Sequence, residues 1–240
     1  PGPGNAVSLA RTPVFDRLMF LSLPDGAHLY MQGSDYIARR LESFYQACNA
    51  APLIPSPLRS AAALRALESL EQMERRHPDV NIGGWLGSPF DLGVHWGTIE
   101  NYLMRRLFGP GADPLPDEQV DAALAAVHVC EPAAYAAHRT ATTLSSFSWH
   151  TAAHTSQVMG LTINLDRDTL MAPVPVGSMV GSLAVADGPE DLPRVVRHRV
   201  SPTEDGLGVV VELSRCEGAV TQHSAFHSLP DGTSVYLEER

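Results

Sequence analysis

Near Leu144 the apolar residues of this chain change their period, and that change limits the fold more than any other feature. Upstream they recur at helical spacing. In GSDYIARRLESFYQACNA, Ser34 is placed as an N-cap and Asp35 in the first turn, with Tyr36, Ile37, Leu41, Phe44, Tyr45 and Cys48 along one side. After the Pro-rich break APLIPSP, Ser56 and Pro57 cap and open a second helix whose stripe is Leu64, Leu67, Leu70 and Met73. VNIGGWLGSPFDLGVHWG carries Gly and aromatic residues without helical period and reads as a loop. A third helix is expected from about Thr98 to Phe108, and a fourth from LPDEQVDAAL toward Glu131, ahead of Pro132.

Downstream the period is two, or the runs are short and β-branched: SFSWHT, SQVMGLTINL, MVGSLAVA, RVVRHRV, LGVVVELS, AVTQHSAF and TSVYLE. Helices followed by consecutive strands imply segregated layers, so the fold class is α+β: a helical region over 1–140 with an early β-hairpin, then an antiparallel β-sandwich over 141–240. The pentapeptide SLPDG occurs at Ser22–Gly26 and again at Ser228–Gly232. Pro fixes φ, Asp bonds back to the backbone and Gly accepts positive φ, so both copies are read as hairpin turns that share turn chemistry rather than ancestry.

The 240 residues, 44% hydrophobic and 18% charged, suit a folded globular chain. The longest weakly polar run, AALAAVHVC, is far shorter than the roughly 18 to 20 residues of a membrane span. Pro1 is not followed by a basic and then an apolar segment, so no signal peptide is read. Opening on Pro1 rather than Met, and ending on VYLEER directly after a strand signal, the chain is expected to be a processed product, an excised domain or a piece of a longer reading frame. Cys48, Cys130 and Cys216 share no short spacing, which indicates neither a zinc site nor a disulfide framework. A net charge of −10 disfavours nonspecific binding to nucleic acid or anionic membrane. The compact basic run is RVVRHR, a solvated strand face or a local anion contact.

No nucleotide-binding, hydrolase or zinc-protease motif is present, so neither cofactor nor metal is expected. What remains are clusters of His, Tyr, Asn and Trp. In GVHWGTIENYLMRR, His95 and Trp96 sit in the Gly-rich loop and Glu100, Asn101 and Tyr102 open the next helix. Such a loop can present an imidazole and an indole to a sugar ring, or its aromatics can simply anchor it. In SSFSWHTAAHTSQ, His150 and His154 on a single strand would share a face about 13 Å apart, too far for one metal ion, although one His could still act as acid or base.

The helices, the handover FSWHTAAHTSQVMGL, the following MAPVPVGSMVGSLAV and the closing GAVTQHSAFHSLPDGTSVYLEE resemble part of the polysaccharide lyases built from an α/α toroid and a β-supersandwich, of heparinase II/III-like or alginate and hyaluronate lyase type. The resemblance implies the last toroid helices plus the first sheet, a uronic-acid polysaccharide or oligosaccharide as substrate, cleavage by β-elimination and export from the cell. It also implies roles: His95, Tyr102 and His150 as acid or base candidates, Trp96 as a stacking surface, Asn101 as a carboxylate or hydroxyl partner, and Arg197 as a substrate clamp. Much of the catalytic machinery would then precede Pro1. The His-rich zinc pattern of heparinase-type sandwiches has no match here. Three other readings compete: a non-catalytic glycan-binding module, a structural β module, and a glycoside hydrolase on a helical toroid, for which Asp91 and Glu100 are the available carboxylates.

Overall fold

The structure is a computed structural model. It describes residues 19–24, 56–62, 64, 65, 107, 112–152, 155–166, 177–185, 192–204 and 206–240. The chain divides after Ala123, and Leu124–Arg240 is one compact unit with the strands.

In the helical unit, Pro57 opens a helix directly after Ser56, as the cap reading requires, and Ser60 N donates to Ser56 O at 2.9 Å. The fourth expected helix is Asp117–Ala123, with Asp117 and Glu118 in its first turn where the N-terminal partial charge favours them. One side chain ties these two helices. Arg65 is 4% exposed; its Nε donates to Asp117 Oδ1 at 2.6 Å, and Nη1 and Nη2 donate to the Asp121 carboxylate at 3.2 and 2.9 Å. Burial alone would lower the pKa of this guanidinium, but hydrogen bonds and charge from Asp121 and Asp117 outweigh it and hold the pKa above its ordinary value. Leu107, the described residue of the expected third helix, is helical.

Two sequence expectations fail at element level. The first SLPDG does not follow a strand: Met19 and Phe20 are helical, and Ser22 turns back through Oγ and N to the Met19 carbonyl at 2.6 and 3.0 Å. Asp25 and Gly26 of that copy lie outside the described residues. The fourth helix stops at Ala123 instead of running toward Glu131, and β1 (Ala126–Cys130) and β2 (Tyr135–Arg139) follow. Alanine-rich AALAAVHVC and AAYAAHR suggest helix by propensity. Pairing β1 with β2 and packing Val127, Val129 and Ala136 into the sheet core outweighs that weak preference.

The expected period-two strands all form: β3 (Thr143–Ala152), β4 (Thr155–Asn164), β5 (Gly177–Val185), β6 (Arg194–Pro202), β7 (Leu207–Arg215), β8 (Val220–Ser228) and β9 (Ser234–Glu239). They make two antiparallel meanders, β1-β2-β3-β4-β5 and β6-β7-β8-β9. Alternation along β7 sends Leu207, Val209, Val211 and Leu213 inward, where with Phe226 they meet Ala136, Phe147, Trp149 and Val158 of the first sheet. Phe147 stacks on Phe226 with ring centroids 5.3 Å apart. Gly160 permits that approach, because a Cβ there would lie 2.8 Å from the Phe226 ring. The arrangement is a β-sandwich.

The second SLPDG is the β8–β9 hairpin. Leu229 N donates to Thr233 O at 2.8 Å, Gly232 N to Leu229 O at 3.0 Å, and Thr233 N to Asp231 Oδ1 at 2.8 Å. Gly232 has φ of +84°, and a Cβ on it would lie 2.5 Å from Thr143 Oγ1 on β3. Gly232→Ala should therefore lower stability by about 2 kcal/mol in urea unfolding, combining a left-handed backbone with a contact against β3. Adding Thr143→Ala should restore part of the loss. Arg65→Ala should cost the helical unit about 3 kcal/mol by leaving Asp121 half-buried without its cation, and a midpoint unchanged from the parent would refute that role.

Candidate functional site

On the sandwich, the described residues concentrate polar chemistry in three places. The first lies at the edge formed by β1, β3 and β6. Consecutive residues on β3 point to opposite faces, so Trp149 enters the core at 3% exposure while His150, partly exposed, faces away. Trp149 stacks on His198 of β6 with centroids 5.0 Å apart. Glu131, at the start of the 3-10 turn Glu131–Ala133, holds His198 Nε2 at 2.7 Å through Oε2. A carboxylate, an imidazole and an indole in series fix this edge; the indole is interior and is no platform for a sugar.

The second is inside the sandwich. At the hairpin end, Ser145 Oγ and Thr162 Oγ1 of the first sheet meet Ser234 Oγ of β9 at 2.9 and 2.8 Å, and buried His138 Nδ1 lies 2.9 Å from Ser228 Oγ. At the far end a chain of polar groups runs along the second sheet. Arg215 Nε donates to Gln222 Oε1 at 2.6 Å and Gln222 Nε2 to Ser224 Oγ at 3.2 Å. Tyr236 OH lies 3.2 Å from Ser224 Oγ and 2.9 Å from Glu238 Oε2, which in turn shares its carboxylate with Arg240 Nε at 2.6 Å. Burial raises the Tyr236 pKa above that of an ordinary phenol, and the Glu238 carboxylate adds to it, against the opposing effects of the Ser224 hydrogen bond and the Arg215 charge. Tyr236 is thus a donor rather than a base at neutral pH. Burial opposes ionisation of Glu238, yet Tyr236, Arg240 and Arg215 prevail and set its pKa below the ordinary value.

The third is the outward face of the second sheet. Arg197, Arg199, Val210, Glu212 and His223 line a shallow depression of about 320 Å³, with His198 at its rim. Arg197 Nε donates to Glu212, and His223 Nδ1 lies 3.9 Å from the same carboxylate. Glu212 and His223 escaped the sequence reading, although VVVEL carries the signal: in a period-two strand whose Val209, Val211 and Leu213 point inward, Glu212 must point outward.

Of the residues expected to form a site, His95, Trp96, Asn101 and Tyr102 lie outside the described residues, as do Asp91, Glu100 and His154. His150 and Arg197 are described, and they do not meet. His150 is on the outward side of the first sheet and Arg197 on the outward side of the second, so the core of the sandwich separates them and they cannot line one cleft. β3, which carries His150, ends at Ala152, and β4 begins at Thr155 in register with it. Among the described residues no three His, Cys, Asp or Glu side chains gather as a metal ion would need; Cys130 is buried and Cys216 exposed. No described helix is long and apolar enough to cross a membrane.

A depressed folded pKa means that Glu238 adds stability above its unfolded value, near 4.5, and that this stability is lost as the pH falls through the lower folded value. Glu238→Gln should therefore flatten the acid limb of a stability–pH curve below that range, and a limb identical to the parent's would show that the Tyr236–Glu238–Arg240 chain contributes nothing to acid sensitivity. Searches with this chain find no match among protein-family models, curated proteins or solved structures.

Proposed function

We propose that this chain is part of a carbohydrate-active enzyme, a polysaccharide lyase that cleaves uronic-acid glycans by β-elimination. The observation that carries the reading is the order of layers: helical residues 57–62, 64 and 65 and the helix Asp117–Ala123 precede an antiparallel sandwich that begins at Ala126. That is the order of an α/α toroid handing over to a β-supersandwich, and export from the cell goes with it. In this reading the sandwich is a support and the reaction belongs to the helical side.

The chemistry requires a base that removes the proton α to the uronate carboxylate. The electron pair so released becomes a carbon–carbon double bond as the bond to the leaving oxygen breaks, and an acid delivers a proton to that oxygen. His95 and Tyr102 are assigned these two roles, Asn101 steadies the carboxylate as charge spreads onto it, and Trp96 stacks on a sugar ring. His150 is kept as a further acid or base candidate on the first sheet, since it is partly open to solvent.

A second reading, a glycan-binding module without turnover, is favoured by the depression on the second sheet, where Arg197 and Arg199 sit beside exposed Val210. A guanidinium pair suits a carboxylate sugar. Release of unsaturated uronate from an acidic glycan separates the two. In the lyase reading, His95→Ala and Tyr102→Ala in the complete enzyme each lower turnover at least about a hundredfold with binding retained. Product formation at the parental rate in both variants would remove these residues from the mechanism, and binding with no product from the complete protein would favour the binding module.

A further inference from the structure

The outward face of the second sheet is ordered in rows that the strand register fixes. One row reads Arg197, Glu212, His223, Glu239 across β6 to β9; the next reads Arg199, Val210, Ala225, Leu237; the third reads Ser201, Gly208, His227, Val235. The middle row and its neighbour leave apolar side chains in water: Val210 is 44% exposed, Leu237 61% and Val235 40%. In the first row the basic side chains Arg197 and His223 alternate with the carboxylates of Glu212 and Glu239. Arg197, Arg199 and, one row further out, Arg194 stand against Glu212 and Glu239, which keeps this face near neutral in a chain of net charge −10. Here the field of the chain does not repel a second copy, and at physiological salt charges farther away than about 8 Å are screened.

We propose that this face docks a second copy of the same chain, sheet against sheet, about a two-fold axis that runs parallel to the strands between β7 and β8. Such an axis reverses the order of the strands and keeps each row at its own level. Arg197 then lies over Glu239 of the second copy, and Glu212 over its His223. Val210 meets Ala225, and Gly208, which has no side chain, leaves room for His227. The stem of Arg199 covers Leu237. Every pairing occurs twice, as a self-complementary interface requires. An in-plane axis perpendicular to the strands would instead set the charged row against Ser201, Gly208, His227 and Val235, and would match nothing. Aligned sheets cross at about 30°, and the long Arg197 and Glu239 side chains span the offset this produces at the outer strands. The inference goes beyond the lyase reading and needs no substrate for its test.

Sedimentation velocity on the 240-residue chain is the experiment. The parent should be a dimer. Arg197→Glu and Glu239→Arg should each be monomeric, with self-association weakened at least about a hundredfold, because each places two like-charged pairs in the interface. Mixing the two variants in equal amounts should restore dimers, since the introduced glutamate of one then faces the introduced arginine of the other while the second contact keeps the parental Arg197 and Glu239. Leu237→Asp, with an unchanged far-ultraviolet circular dichroism spectrum, should also be monomeric. A monomeric parent, a dimer that survives any single change, or a mixture that stays monomeric would each overturn the proposal. A monomeric parent that loses retention on an oligouronate matrix when Arg197 is changed would assign the face to glycan instead.

Discussion

The contact of Phe147 with Phe226 is the hinge of the architecture. It joins β3 to β8, and so the two meanders, and it exists only because Gly160 on β4 offers no Cβ at that point. Around it Val209, Val211, Leu213, Ala136, Trp149 and Val158 close an apolar layer, and burial of the large members stabilises the unit by roughly 1.5–3 kcal/mol each. Neither sheet could stand alone, since each would leave one whole face of apolar side chains in water.

This layer is bordered by polar groups at both ends, and each border is satisfied by hydrogen bonds rather than left to water. At one end Ser145, Thr162 and Ser234 join the sheets beside Gly232. At the other, Arg215, Gln222, Ser224, Tyr236, Glu238 and Arg240 form a continuous chain. Burying Gln222 and Ser224 completely is tolerable only because each finds a partner within that chain. Strand order therefore positions chemistry as well as packing. Trp149 and His150, neighbours in sequence, serve opposite faces, while Glu131 and His198, far apart in sequence, touch.

Much of the sandwich was legible beforehand. Seven of its strands announce themselves through alternation, and the second SLPDG through the φ requirements of its Gly and the Asx bond of Asp231. β1 and β2 were not legible, because alanine and short length hide strands whose inward side chains are held by packing against residues far along the chain, Val209, Val211 and Leu213 among them. Ser56 and Pro57 marked a helix start correctly, yet nothing in the stripe of Leu64, Leu67 and Leu70 revealed Arg65, whose buried role depends on two aspartates far along the chain. The first SLPDG looked like the second and follows a helical turn instead, since a turn motif constrains its own φ values and says little about what precedes it.

The sequence by itself determined local matters: where helical period gives way to strand period, which residues alternate inward, and where the chain must turn. These depend on neighbours within a few residues, and side-chain period and backbone φ are written at that range. Tertiary structure alone decided which distant groups meet. It separated His150 from Arg197, joined Glu131 to His198, and aligned Arg197, Glu212, His223 and Glu239 into one row across four strands. The reason is register: a slip of one residue in any pairing would send each of these side chains to the other face, and register is set by the whole packed layer rather than by any one segment.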